Sequence, residues 1–178
     1  VQMTRQPGSA FKPFVYLTAF ANKVTPFDIL SNETKDFGGG WIPKNYGGTS
    51  GGSVTVMEAL VKSMNIPTVH LADQVGIEKI IRTAKNVGIS TLVTDGEYSD
   101  TNLAASLGGL TYGVSVWDMA KAYSVFANGG KLVEPTVIMK VVDRNGKVIE
   151  DHSGARESTQ AVDEASAWTL TSVLEEVI

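Results

Sequence analysis

Apolar residues recur at helical spacing in five places along the chain. Phe14, Leu17, Ala21 and Val24 predict a helix over residues 8–22. A second helix starts near Thr55, where Thr55 and Glu58 make a T-x-x-E capping box ahead of an apolar stripe of Met57, Leu60, Val61 and Met64. Pro67 disfavours helical geometry at Ile66, so a break is expected at residues 64–66, with another helix at 67–74. Ile77, Ile80, Ile81 and Ala84 line one face of a helix over 77–87, and Gly88 stands where a helix ends in a left-handed residue. Ser115 and Asp118 form another capping box, and Val116, Met119, Ala120, Tyr123 and Ala127 carry that helix to Gly129-Gly130. A last helix follows Asp163 with Leu170, Val173, Leu174 and Val177. Between these, 24–53 and 88–113 read as loops, the first rich in glycine. The stretch TVIMKVVDRNGKVIE, near 136–150, reads as two strands about Asn145-Gly146, a hairpin signal. The pattern is helix-dominated, with one small antiparallel hairpin.

Composition narrows the classes. A chain of 178 residues, 43% hydrophobic and 19% charged, can bury a core and fits one domain or a piece of one. A net charge of −4 argues against nucleic acid as a partner, which would want a basic face. With no cysteine, disulfides, thiol catalysis and cysteine zinc sites are excluded. No apolar run approaches the ~20 residues of a membrane span. The chain opens on Val1 directly ahead of a dense motif, which raises the expectation of a piece cut from a longer protein.

That motif is RQPGSAFKPFVY, in which Ser9 and Lys12 stand three residues apart at the start of an apolar helix. Residues at this spacing share a helix face, which puts the amine within reach of the hydroxyl. A serine is a poor nucleophile until a base takes its proton, and a lysine becomes a useful base only when burial lowers its pKa. Ser9 can equally be a simple N-cap. Pro13, at the fifth position counted from Ser9 as the cap, is out of place inside a helix and marks a first turn under special constraint. The second motif is Ser63-Met64-Asn65. In an extended stretch ahead of Pro67, Ser63 and Asn65 would point one way and Met64 into the core. A hydroxyl and an amide side by side can relay a proton and hold a substrate amide, although polar residues at a helix end are the plainer account. The loop FGGGWIPKNYGGTSGGS lacks the spacing of a phosphate loop; Trp41 and Tyr46 in it can cover a groove or merely anchor the loop. His70 and His152, the only histidines, sit in no triad or metal-ligand motif, and neither a cofactor nor a metal is implied.

S-x-x-K followed by S-x-N is the paired signature of penicillin-binding proteins and serine β-lactamases. RQPGSAFKPFVY resembles the nucleophile segment of class A, bifunctional penicillin-binding proteins. WIPKNYGG…GGSVTVMEALVKSMNIPTVHLADQVG resembles the stretch bearing their second motif, and SLGGLTYGVSVWDMAKAYSVFANGGKLVEPTVI the helix and strand that follow. The resemblance runs in order from Arg5 to Ile178. It implies an α+β fold, of which residues 1–178 would be the helical lobe of a partial transpeptidase domain truncated at both ends, with the main sheet largely missing. It also implies roles. Ser9 would attack a D-Ala-D-Ala stem peptide of peptidoglycan, Lys12 would be the base, Ser63 would pass a proton to the leaving amine, and Asn65 would hold Lys12 and the substrate amide. β-Lactams would acylate Ser9. The parent protein would be anchored at the extracytoplasmic face of the bacterial cell membrane.

Two features depart from the family pattern. No lysine is followed two residues on by glycine, so the third motif, K-[ST]-G, is missing, and so are the strands expected before Ser9. The piece alone is therefore expected to be inactive. The helix bearing Ser9, deprived of its sheet, is expected to expose an apolar face and to favour self-association. A β-lactamase or sensor relative remains an alternative, although an E-x-x-L-N deacylation motif is absent. A non-catalytic module with the same fold is another.

Overall fold

The computed structural model describes residues 3–154 and 156–177. Among the described residues six α-helices pack together, and the strands pair only two at a time, always antiparallel. In chain order the elements are β1 (Thr4–Arg5), α1 (Lys12–Ala21), β2 (Ile29–Ser31), β3 (Ser53–Thr55), α2 (Val56–Val61), α3 (Asn65–Val75), α4 (Ile77–Asn86), β4 (Val114–Ser115), α5 (Val116–Ala127), β5 (Lys131–Val133), β6 (Lys140–Val142), β7 (Val148–Asp151), β8 (Ser158–Gln160) and α6 (Glu164–Glu175). The pairs are β1 with β4, β2 with β3, β5 with β8 and β6 with β7. No larger sheet exists among the described residues, in keeping with a helical lobe. None of the described helices is long and apolar enough to cross a membrane.

The expected caps form. Thr55 Oγ1 accepts from Glu58 N–H at 3.0 Å, Ser115 Oγ from Asp118 N–H at 3.0 Å, and Asp163 Oδ1 from Ser166 N–H at 2.8 Å. Each satisfies an N–H that a helix start leaves without an internal acceptor. Gly88 follows α4 at φ +108°, as its placement predicts. The hairpin is β6–β7, shorter at its N-terminal end than the 136–150 reading, with Asp143 O accepting from Gly146 N–H at 3.0 Å across the turn. The loop at 24–53 contains more than the sequence shows, because Leu30 pairs with Val54 and closes a ribbon over the intervening glycine-rich strap.

Three local expectations are corrected. The first helix is two elements, a 3₁₀ turn at Gly8–Phe11 and then α1. Pro7 rather than Ser9 caps that turn, and Pro13 falls in the first turn of α1, where no N–H is needed. The break before α3 falls at residues 62–64 rather than 64–66, and Pro67 is accommodated within α3's first turn for the same reason. Met64 is only half-buried.

The expected exposed face on α1 is also absent. Phe14, Val15, Tyr16, Leu17 and Ala19 are all 0% exposed, because α3, α4 and α6 pack around this helix. A helix apolar on every side is stable only as the centre of such a bundle. Phe14 sits in an aromatic cluster, with ring centroids 5.1 Å from Phe11, 5.6 Å from Phe126 and 6.1 Å from Tyr123. Self-association through α1 would require unpacking this core. The exposed large apolar side chains lie elsewhere, as with Trp168 on α6.

Candidate active site

Lys12 is the first residue of α1 and its side chain is 1% exposed. The ammonium points across to the junction of α2 and α3. It donates to Ser63 O at 2.6 Å, to Asn65 Oδ1 at 2.7 Å and to Ser63 Oγ at 3.1 Å. Those three bonds use all the protons of the ammonium. All three acceptors are neutral oxygens, so burial is not offset by a carboxylate, and desolvation lowers the Lys12 pKa from 10.5 to about 8. A substantial fraction of this amine is therefore neutral, and able to accept a proton, in mildly alkaline solution.

Ser63 reaches this position through an unusual backbone. Its φ of +50° is left-handed, one of two such values among the described non-glycine residues. It follows the end of α2. Ser63 N–H bonds Leu60 O and Met64 N–H bonds Ala59 O, both at 2.9 Å. This pair of bonds closes a helix around a left-handed residue that is most often glycine. A serine there costs about 1 kcal/mol or more in backbone strain. In exchange, both its carbonyl and its hydroxyl face the buried amine. That reversal, not Pro67, terminates α2. Ser63 and Asn65 converge because a left-handed residue precedes a helix start, not because the stretch is extended as expected.

Asn65 is oriented by elimination. Its Nδ2 donates to Lys44 O at 2.7 Å, and a carbonyl can only accept. Oδ1 is thus turned towards Lys12, which can only donate while protonated. A second asparagine, Asn45, is 7% exposed and sits behind it. Its Oδ1 accepts from the N–H groups of Asn65 at 2.8 Å and Ile66 at 2.9 Å. On the α1 side, Tyr16 Oη lies 2.8 Å from Thr68 Oγ1, and Thr68 Oγ1 donates to Met64 O at 2.6 Å. Both turns flanking Asn65 are therefore tied down.

Ser9 lies in the 3₁₀ turn and is exposed. Lys12 makes no hydrogen bond to it, since all three of its protons go to Ser63 and Asn65. The turn itself is braced from 106–113. Gln6 Oε1 accepts from Leu110 N–H at 2.8 Å and Gln6 Nε2 donates to Leu110 O. Tyr123 Oη donates to Ala10 O at 2.8 Å. A Cβ on Gly108 would stand 2.3 Å from Gly8 O, so the two backbones touch there. A cavity of about 320 Å³ adjoins Ser63, lined in part by Tyr46 and Lys62. Trp41 instead packs on Phe37, with centroids 6.1 Å apart, and anchors the strap.

The four residues singled out from the sequence thus divide. Lys12, Ser63 and Asn65 are joined by hydrogen bonds, and Ser9 stands at the surface beside them on a fixed turn. Asn45, Thr68, Tyr16 and the Ser63 carbonyl were not anticipated. Their only sequence signal is a polar residue in an apolar or glycine-rich setting. His70 is engaged elsewhere: its Nε2 lies 2.9 Å from Glu33 O and its ring packs on Phe37. His152 lies beside Glu150, at 3.4 Å.

The chain is similar to known proteins. The family model described as the penicillin binding protein transpeptidase domain matches residues 1–178. Penicillin-binding protein 1F of Bacillus subtilis (strain 168) is 35% identical over 181 residues, covering 100% of this chain and 24% of that protein. Among solved structures, penicillin-binding protein A from M. tuberculosis, as its imipenem acyl-enzyme complex, superposes with a TM-score of 0.88 at 23% identity, over 99% of this chain and 44% of that one. PonA1 from Mycobacterium tuberculosis in complex with penicillin V gives a TM-score of 0.84 at 27% identity, over 97% of this chain and 47% of that one. The chain spans about a quarter of the length of the curated relative. With its whole length matched by one family model and its fold shared with these structures, the chain belongs to the penicillin-binding protein transpeptidase domain family.

Proposed function

We propose that this chain is the nucleophile-bearing part of a peptidoglycan D,D-transpeptidase. The observation that carries the reading is the buried, charge-unpaired Lys12 amine held by Ser63 and Asn65 beside an exposed serine on a fixed turn. When Lys12 is neutral it keeps two protons, enough for its two shortest bonds, to Ser63 O and Asn65 Oδ1. The lone pair replaces the third proton, towards Ser63 Oγ, and with that longer bond released the side chain tilts so that the lone pair takes the Ser9 proton as Ser9 Oγ attacks the carbonyl of the penultimate D-alanine. The Ser9 N–H, at the start of the turn, is one of those without an internal acceptor and faces developing negative charge favourably. As the tetrahedral intermediate collapses, the C–N bond breaks and the leaving D-alanine amine takes a proton from Ser63, which Lys12 replenishes. An amine of a neighbouring stem peptide then attacks the acyl-enzyme carbonyl; its proton passes through Lys12 to Ser9 Oγ as the ester C–O bond breaks, which restores Ser9. β-Lactams enter by the same first step, with ring opening in place of departure. The parent protein acts outside the cytoplasmic membrane, to which it is anchored.

Residues 1–178 form a partial domain under this reading, because no K-[ST]-G strand is present to supply the opposite groove wall and the second oxyanion N–H. The test is intact-mass and peptide mass spectrometry after incubation with penicillin. The full-length protein should gain one penicillin, mapped to the peptide containing Ser9, and the 178-residue chain should gain none. An unlabelled full-length protein, or an adduct on another residue, would remove the proposal. An adduct on the short chain would remove only the claim that it is incomplete.

A further inference from the structure

The first turn of α3 has no cap of its own. Met64 occupies the cap position and offers no side-chain acceptor. An uncapped helix start leaves N–H groups to be satisfied from outside. Here they are satisfied by a residue 20 positions away in sequence, in the glycine-rich strap. Asn45 Oδ1 takes the N–H of Asn65 and of Ile66. Its Nδ2 donates at 2.7 Å to Asn32 Oδ1 and at 2.8 Å to Thr49 O. Every hydrogen-bonding capacity of this amide is used, and its orientation is forced, because two N–H groups face one end and two oxygens the other. Asn32, 5% exposed, is held in turn by Gly51 O at 3.1 Å through its own Nδ2. The residue before Asn45 holds the other side of the site, through Lys44 O and Asn65 Nδ2. Asn65 is thereby gripped at its backbone by Asn45 and at its side chain by Lys44, and it is the side chain that meets Lys12.

We propose that Asn45 is a positioning residue for acylation of Ser9: locked by Asn32 and Thr49, it fixes the first turn of α3 and so aims Asn65 Oδ1 and Ser63 at the Lys12 amine. The strap at 31–52 is then part of the catalytic frame, not a surface loop. The inference rests on the transpeptidase reading. Asn45 touches no reacting atom; it acts through Asn65.

The experiment measures penicillin acylation of the full-length protein, separating affinity for the non-covalent complex from the acylation rate at saturation, in wild type, N45A and N45D, with melting curves to confirm folding. A displacement of catalytic groups by about 1 Å costs on the order of 100-fold, so N45A should lose about 10- to 100-fold in rate while affinity changes little. N45D keeps an oxygen for both N–H groups, which a helix N-terminus favours, but sets a carboxylate oxygen against Asn32 Oδ1 and Thr49 O where the amide donated, so it should stay slower than wild type. A role confined to stability would lower the melting temperature and leave the rate per folded molecule unchanged. Folded N45A or folded N45D at the wild-type rate would overturn the inference. Should neither fold, Asn32→Ala, which removes one acceptor that holds Asn45 and touches neither Asn65 nor Lys12, decides: a loss of about tenfold in rate at unchanged affinity supports the inference and the wild-type rate overturns it. Wild type that is not labelled at all would remove the transpeptidase reading instead.

Discussion

Lys12→Met in the full-length protein is expected to lower acylation of Ser9 by about 100- to 10,000-fold, the range for loss of a positioned general base. Methionine approximates the length and volume of the lysine stem in a site that is 1% exposed, so the helix core around it is kept. It offers no basic nitrogen, and it leaves Ser63 Oγ and Asn65 Oδ1 without their shared donor. The wild-type rate should rise with pH about a midpoint near 8, as the neutral amine becomes populated, and the variant should show no such rise. Stability supplies a second readout with a definite sign. Burial lowers the folded-state pKa to about 8 from 10.5. Below that window both states hold the proton and the folded state bears the cost of a buried charge. Through it the unfolded chain binds more protons than the folded one, so wild-type stability rises with pH. The difference between wild type and Lys12→Met, followed by denaturant unfolding from pH 7 to 10.5, should grow in favour of wild type through this window. Equal acylation rates at neutral pH would assign the base elsewhere. A stability difference that stays constant with pH would mean that the Lys12 amine is not perturbed.

Gly108→Ala is expected to disable the site from outside it. Gly108 has φ +80°, and a Cβ there would meet Gly8 O at 2.3 Å and Gly8 N at 2.5 Å. Both are backbone atoms of the turn that carries Ser9, so relief requires the turn to move. The left-handed backbone costs alanine about 1–2 kcal/mol, and overpacking typically adds about 1–3 kcal/mol. Displacement of Ser9 should also lower acylation on the order of 100-fold. Gly146→Ala separates the two effects. Gly146 has φ +81° in the β6–β7 turn, and nothing lies within 4 Å of its Cβ position. It should show the backbone cost alone, with unchanged acylation. A Gly108→Ala protein that is acylated at the wild-type rate would show that residues 106–113 do not hold the nucleophile in place.

The helices were legible in the sequence because their signals are local. A capping box such as Thr55/Glu58 or Ser115/Asp118 needs four consecutive residues, and a buried face such as Ile77, Ile80, Ile81 and Ala84 needs about two turns. Ser9, Lys12, Ser63 and Asn65 were legible as a resemblance; as isolated triplets each had an ordinary structural account. The helix ends were less legible. Pro67 has the same local preference whether it ends one helix or opens the next, and the bonds to Leu60 and Ala59 that place the break at Ser63 depend on a left-handed serine that no propensity favours.

The sequence by itself determined which segments are helical, which residues cap them and which side chains bring chemistry. Tertiary structure decided what those side chains face. Lys12 meets partners 51 and 53 residues away, and that distance through the chain is bridged only when α1 is enclosed by α3, α4 and α6. Asn45 reads as one polar residue in a glycine-rich loop until β2 and β3 pair and bring the strap back over α3. The same enclosure removes water from the Lys12 amine and lowers its pKa. Hydrogen-bond periodicity within a helix or turn is a property of neighbours in sequence. Desolvation and long-range hydrogen bonds are properties of the packed core, and they exist only once the whole chain has closed around it.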